Sequence, residues 1–181
     1  VRALYQFQLN FIKKIGELDN LILKEISEKI EKLLNLNHWY IVSPYLKIYP
    51  YESDFDNLED YFENHYLKDY CESIKKILFM NICYYDSIVY LTEFYEGNPF
   101  KKFEKYVYNN FRDRGLEEIS TALELVIING KTHMNVYIPC KNSLIAISSG
   151  FDTTIFSEDE EFLKDMDLYA KSEGLFFIKR D

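Results

Sequence analysis

Alanine is nearly missing from this chain: Ala3, Ala122, Ala146 and Ala170 are the only four. Lysine far outnumbers arginine, while Ile, Asn, Tyr and Phe abound. Such usage fits an AT-rich coding sequence and a microbial or phage source, so part of the Tyr and Asn content reflects codon bias. Cysteine is scarce too. Cys71, Cys83 and Cys140 form an odd set without C-x-x-C spacing. That excludes a disulfide or zinc framework and suits reduced thiols in a cytoplasmic protein, with a single disulfide left open. No run of about 18 apolar residues occurs and no basic-then-apolar leader opens the sequence, so neither a membrane helix nor a signal peptide is expected. The chain starts on Val1 rather than Met, which points to removal of an upstream segment.

Positive charge is in deficit. Lys and Arg number 21 against 30 Asp and Glu, for a net charge of -9. Such a chain is repelled by a phosphate backbone, and its short basic clusters (Lys13-Lys14, Lys75-Lys76, Lys101-Lys102, Arg112 with Arg114) lie beside acids or on helix faces. Nucleic acid and anionic membrane are therefore poor partners, whereas a basic protein is favoured, mainly through its association rate. Phosphate-binding and hydrolase motifs are missing as well. There is no G-x-G-x-x-G, no Walker sequence and no G-x-S-x-G elbow around Ser148-Ser149-Gly150. No cofactor is expected.

What is present is a globular composition: 181 residues, 48% hydrophobic and 28% charged, enough for one domain over residues 1–181 with its own core. No internal repeat, low-complexity tract or linker divides it. Aromatics reach 17%, with sixteen Tyr, fourteen Phe and Trp39. Tyr joins an apolar ring to a polar tip, so it serves a core edge or a binding surface equally well.

Helical periodicity runs through residues 4–34 (Leu4, Phe7, Phe11, Ile15, Leu18, Ile22, Ile26, Ile30, Leu33), as one helix or as two broken near Gly16 and Asp19-Asn20. Residues 39–49 read as a strand, and Pro44 places it at an edge or at a bulge. Asp56 with Glu59 resembles a capping box opening a helix to about Leu78. Residues 79–96 are ambiguous between a buried helix and a hairpin across Asp86-Ser87. Their Tyr, Ile, Val and Thr content favours the hairpin. Asn98-Pro99 reads as a helix start, with Phe100, Phe103, Val107 and Phe111 as its stripe and Gly115 as its stop. Residues 123–128, Asn129-Gly130 and residues 134–138 read as a β-hairpin, with residues 144–148 as a third strand. Ser157 with Glu160 is a second capping box, opening a helix to about Lys171, followed by Gly174 and a strand at 175–178. These runs specify an α+β fold: an N-terminal helical layer packed on a mostly antiparallel sheet, with a C-terminal helix and strand and the Asn129-Gly130 hairpin at the centre.

Several constellations bear on chemistry. His133 and Cys140 could pair as base and nucleophile. Seven residues apart on one strand, however, they face opposite sides, and no third orienting group is evident. His65, Asp69 and Glu72 share one helical face that could bind a divalent metal or simply be the polar face of a surface helix. Arg112 and Arg114 could grip an anion, or could serve a helix C-terminus. His38 beside Trp39 reads as a strand-edge pair. The densest acids are Glu158-Asp159-Glu160-Glu161 with Asp165 and Asp167, and a second group comprises Asp54, Asp56, Glu59, Asp60 and Glu63. Neither has the glycine and ligand spacing of an EF-hand. Acids at a helix start already have a structural reason. As surfaces for a basic partner, the candidate residues are Asp56, Glu59, Asp60, Glu63, Glu158, Glu161 and Asp165.

Small size, acidic charge and abundant Tyr, Phe and Asn, with stretches such as 157-SEDEEFL-163 and 172-SEGLFFIKR-180, resemble the immunity proteins of bacterial polymorphic-toxin and contact-dependent inhibition systems. The resemblance implies a protein that binds one cognate toxin and blocks its active or substrate-binding site, with acidic side chains standing in for phosphate where the toxin is a nuclease. Two other readings stay open. One is a small enzyme with a pocket built from residues such as Tyr85, His133 and Cys140; the other is a ligand-binding regulatory domain.

Overall fold

Strand residues that alternate between two apolar environments need helices on both faces of their sheet, and that requirement organises the chain. The computed structural model describes residues 21–45, 55–92, 94 and 101–180. Helix α1 (Leu21–Leu34) leads to strand β1 (Trp39–Ser43), and helix α2 (Phe55–Tyr84) leads to β2 (Ile88–Leu91). Two 3-10 turns, Lys101–Tyr106 and Arg112–Arg114, precede helix α3 (Leu116–Ile127). Then come β3 (Met134–Ile138), β4 (Ser143–Ile147), β5 (Thr153–Phe156), helix α4 (Glu160–Ser172) and β6 (Phe176–Arg180). The strands form one sheet in the order β2-β3-β4-β5-β1-β6, and every ladder is antiparallel. The fold is α+β.

The two faces follow the period-2 alternation of the strands. On one face Tyr90, Tyr137, Leu144, Ala146 and Phe156 pack with Ile26, Ile30, Leu33 and Leu34 of α1. On the other, Val89, Leu91, Met134, Val136, Ile138, Ile145, Ile147 and Ile155 meet the buried stripes of α2, α3 and α4. The middle strands are apolar on both sides because both sides are covered. The β2 edge is closed by the segment after it: Tyr108 N donates to Leu91 O at 2.8 Å and Phe111 N to Val89 O at 2.9 Å.

Local expectations fare unevenly. Residues 79–84 continue α2 instead of forming a hairpin. Ile74, Ile77, Leu78 and Ile82 recur at helical spacing and are buried together, so packing overrides strand propensity. Residues 88–91 do form a strand, but β2 pairs with β3. The expected hairpin at Asn129-Gly130 is absent. Residues 123–127 lie in α3, whose buried Ile119, Ala122, Leu123, Leu125, Val126 and Ile127 make a helical face. Asn129-Gly130 follows the end of that helix, with Gly130 N donating to Val126 O at 3.2 Å. The sheet's hairpins instead join β3 to β4 through Pro139–Lys141, closed by Asn142 in the left-handed region at φ 42°, and β4 to β5 through residues 148–152.

Residues 101–106 and 112–114 form 3-10 turns, with irregular chain between them, rather than the α-helix read from Phe100 to Phe111, although Phe103 and Phe111 are buried. Asn98-Pro99 lies outside the described residues. Gly115, φ 90°, ends the second 3-10 turn, as expected of a stop, and directly precedes α3. Strand β1 is internal, between β5 and β6, and avoids the Pro44 penalty by ending at Ser43. The helix at 160 is capped by Asp159, whose side chain accepts from Phe162 N at 2.8 Å. Ser157 is buried behind it and accepts from Asp159 N at 3.0 Å. Asp56 lies inside the first turn of α2, not at its cap.

Candidate functional site

Helix α2 has 30 residues, roughly 45 Å at 1.5 Å per residue. Its C-terminal half is buried against α3, α4 and the sheet, with Tyr70, Cys71, Ile74, Ile77, Leu78 and Ile82 in the core. Residues 60–69 of the helix are mostly exposed and carry an aromatic series. Tyr61 and Tyr66 are 51% and 45% exposed. The His65 ring stacks on Tyr61 at 4.1 Å, Tyr61 meets Phe62 at 6.2 Å, and Phe62 meets Tyr66 at 5.1 Å. Phe62 continues inward to Tyr45 at 4.8 Å, Tyr45 to Phe151 at 5.5 Å, and Phe151 to buried Tyr70 at 5.1 Å. The Tyr70 hydroxyl turns away from the surface, donating to Val42 O at 3.0 Å and accepting from Thr153 Oγ1 at 2.9 Å. The surface rings therefore stand on a fixed base.

A groove of about 290 Å³ opens beside this series, lined by Pro44, Phe62, Tyr66, Asp69, Tyr70, Ser73, Glu173 and Leu175. Lys76 Nζ reaches Glu173 Oε2 at 2.7 Å, which neutralises one of the two acids. Asp69 is exposed and has no hydrogen bond or ion pair among the described residues. Sequence reading saw Asp69 only with His65 and Glu72 as a metal face. The signal for the groove was the i, i+4, i+7, i+8, i+11 series Phe62, Tyr66, Asp69, Tyr70, Ser73. Pro44, Glu173 and Leu175 join it only through the tertiary fold.

The two acidic groups do not form one surface. Asp56 and Glu59 lie in the first two turns of α2. Asp60 and Glu63 are exposed on the same helix. Glu63 reaches the β4–β5 turn, where a Cβ on Gly150 would lie 3.3 Å from its Oε1. The second group sits at the other end of α2, roughly 30 Å away along its axis. There the Tyr85 hydroxyl donates to Asp165 Oδ2 at 2.7 Å. Lys141 pairs with Glu161 and Asp159 and lies 6.0 Å over the Tyr85 ring. Glu158 is exposed, whereas Glu161 and Asp165 already hold structural partners.

The remaining constellations resolve into structural roles. His133 is buried at the start of β3 and its Nδ1 lies 2.7 Å from Ser148 Oγ. Burial lowers its pKa to about 4, so the ring is neutral at physiological pH. Cys140 is exposed beyond the far end of β3, so the two do not meet. His65 Nδ1 lies 2.7 Å from Tyr61 O, Glu72 pairs with Lys75, and among the described residues no His, Cys, Asp and Glu converge to hold a metal ion. Lys75 is buried between Glu72 and Glu124, tying α2 to α3. Arg112 Nη2 donates to Ile82 O at 3.1 Å and Tyr85 O at 3.5 Å, at the C-terminal end of α2. It serves that helix rather than an external anion. No protein-family model, curated protein or solved structure matches the chain.

Proposed function

We propose that this chain is an interaction protein of the immunity type, which binds a basic cognate toxin and blocks its working surface, with residues 60–69 of α2 as the contact face. The observation that carries this reading is the aromatic series of α2. It passes from the core at Tyr70 to solvent at Tyr61 and is flanked by Asp60, Glu63 and Asp69. Binding energy at protein interfaces concentrates in a few desolvated aromatic anchors, and rings already fixed on a helix lose little conformational freedom on binding. Acids around such anchors favour a basic partner and repel an acidic one. The net charge of -9 extends that preference over the whole molecule.

The test is binding of the full chain to the product of the neighbouring gene, followed by calorimetry and by survival of cells expressing that product with or without this chain. The expected result is a one-to-one complex that rescues growth. Tyr61→Ala with Tyr66→Ala should weaken it by about 2 kcal/mol or more without lowering the melting temperature, since both side chains are largely exposed. A stable complex indifferent to both substitutions would move the contact face elsewhere. Absence of any complex would count against the immunity reading.

A further inference from the structure

We infer that the groove between α2 and the start of β6 receives the side chain of one lysine or arginine of the partner. This deepens the interaction reading above and rests on it. The groove, about 290 Å³, sits at the lower end of the range for small-molecule sites, roughly 300 Å³ upward, so it suits one side chain better than a cofactor. Its walls differ in chemistry. Phe62, Tyr66 and Tyr70 present rings, and Pro44 and Leu175 add apolar surface. Such walls cover the methylene stem of a long basic side chain, and a ring face attracts its cation.

The charge balance selects the same occupant. Two carboxylates, Asp69 and Glu173, line the groove, and Lys76 balances only Glu173. Asp69 carries no compensating cation among the described residues. An arriving ammonium or guanidinium supplies the missing charge and is held between carboxylate and ring, while an anionic group meets uncompensated repulsion. Tyr70 contributes a ring and not a hydroxyl, because that hydroxyl is committed to Val42 O and Thr153 Oγ1.

The experiment titrates isotope-labelled full chain with N-acetyl-lysine-N-methylamide and N-acetyl-arginine-N-methylamide, following the ring resonances of Phe62, Tyr66 and Tyr70. Uncharged N-acetyl-norleucine-N-methylamide is the control. Saturable shifts confined to these rings are expected for both cations, with binding about tenfold weaker for norleucine and for Asp69→Asn. A second arm measures the neighbouring gene product against Asp69→Asn and Tyr66→Ala, each expected to weaken the complex about tenfold. Norleucine binding as well as lysine, or shifts spread over the whole acidic surface, would overturn the inference. So would a complex unchanged by both substitutions, and the interaction reading would then survive. Saturation of the groove by the cations with no complex to the gene product would uphold the groove and remove that partner.

Discussion

At Gly130 the backbone adopts φ +60°, and a Cβ there would lie 3.2 Å from Ser149 Cβ. Gly130→Val combines left-handed strain for a β-branched residue with a close contact, so a loss of about 1–3 kcal/mol is expected in denaturant melts. A parent-like midpoint would show that the turn after α3 relaxes freely. His133 gives a prediction in pH. Its folded pKa of about 4 lies below the ordinary value near 6.5. Between those values the unfolded chain binds more protons, so stability is fully present above about pH 6.5 and is lost as pH falls towards 4. The size is up to about 3 kcal/mol. His133→Gln removes this share while keeping a polar group beside Ser148. Unfolding free energies at pH 7 and pH 4.5 should therefore differ less for the variant than for the parent. Asp152, whose carboxyl is raised by burial, acts with the opposite sign and is common to both proteins.

Among the elements, α2 depends on a residue far along the chain. Its last carbonyls face Arg112, which donates to Ile82 O and Tyr85 O. A cation at a helix C-terminus satisfies orphan carbonyls and complements the dipole. Arg112→Ala should cost about 1–2 kcal/mol in thermal or urea unfolding, and Arg112→Lys should recover part of it. Equal stability of all three would mean that water serves these carbonyls as well. Sequence patterning located α1, α2, α4 and most strands because their apolar spacing is distinctive. It failed at α3, where the run 123–128 holds Glu124 as its one polar residue, which fits strand alternation as well as a helical period; the period becomes readable only with buried Ile119 and Ala122 and exposed Thr121. Asn129-Gly130 then tipped the reading towards a hairpin. Gly130 does take positive φ, but Asn-Gly serves a helix end as readily as a two-residue turn. The candidate groove was half legible: α2 supplies its rings at regular spacing, whereas Pro44, Glu173 and Leu175 arrive from β1's end and from the α4–β6 connection.

For the whole molecule, the separation of the two acidic groups decides how a basic partner would be steered. Exposed charges act over about 10 Å at 0.1 M salt, while the groups stand roughly 30 Å apart along α2. Only the group beside the aromatic series can then guide the final approach to it. Asp60→Lys with Glu63→Lys should slow association with the neighbouring gene product by about tenfold at low salt and leave dissociation nearly unchanged. Glu158→Lys with Glu160→Lys should slow it by about twofold or less, acting only through net charge. Glu161 and Asp165 are unsuitable for this comparison, because Lys141 and the Tyr85 hydroxyl depend on them. Stopped-flow binding at several salt concentrations separates the outcomes. The parent rate should fall steeply with added salt, and the difference between the two charge reversals should shrink with it. If reversal at 158 and 160 slowed association as much as reversal at 60 and 63, the contact face would lie at the α4 end of the molecule, and the aromatic half of α2 would lose its proposed role. A rate independent of salt for every variant would remove electrostatic steering altogether, leaving the exposed rings to account for recognition alone.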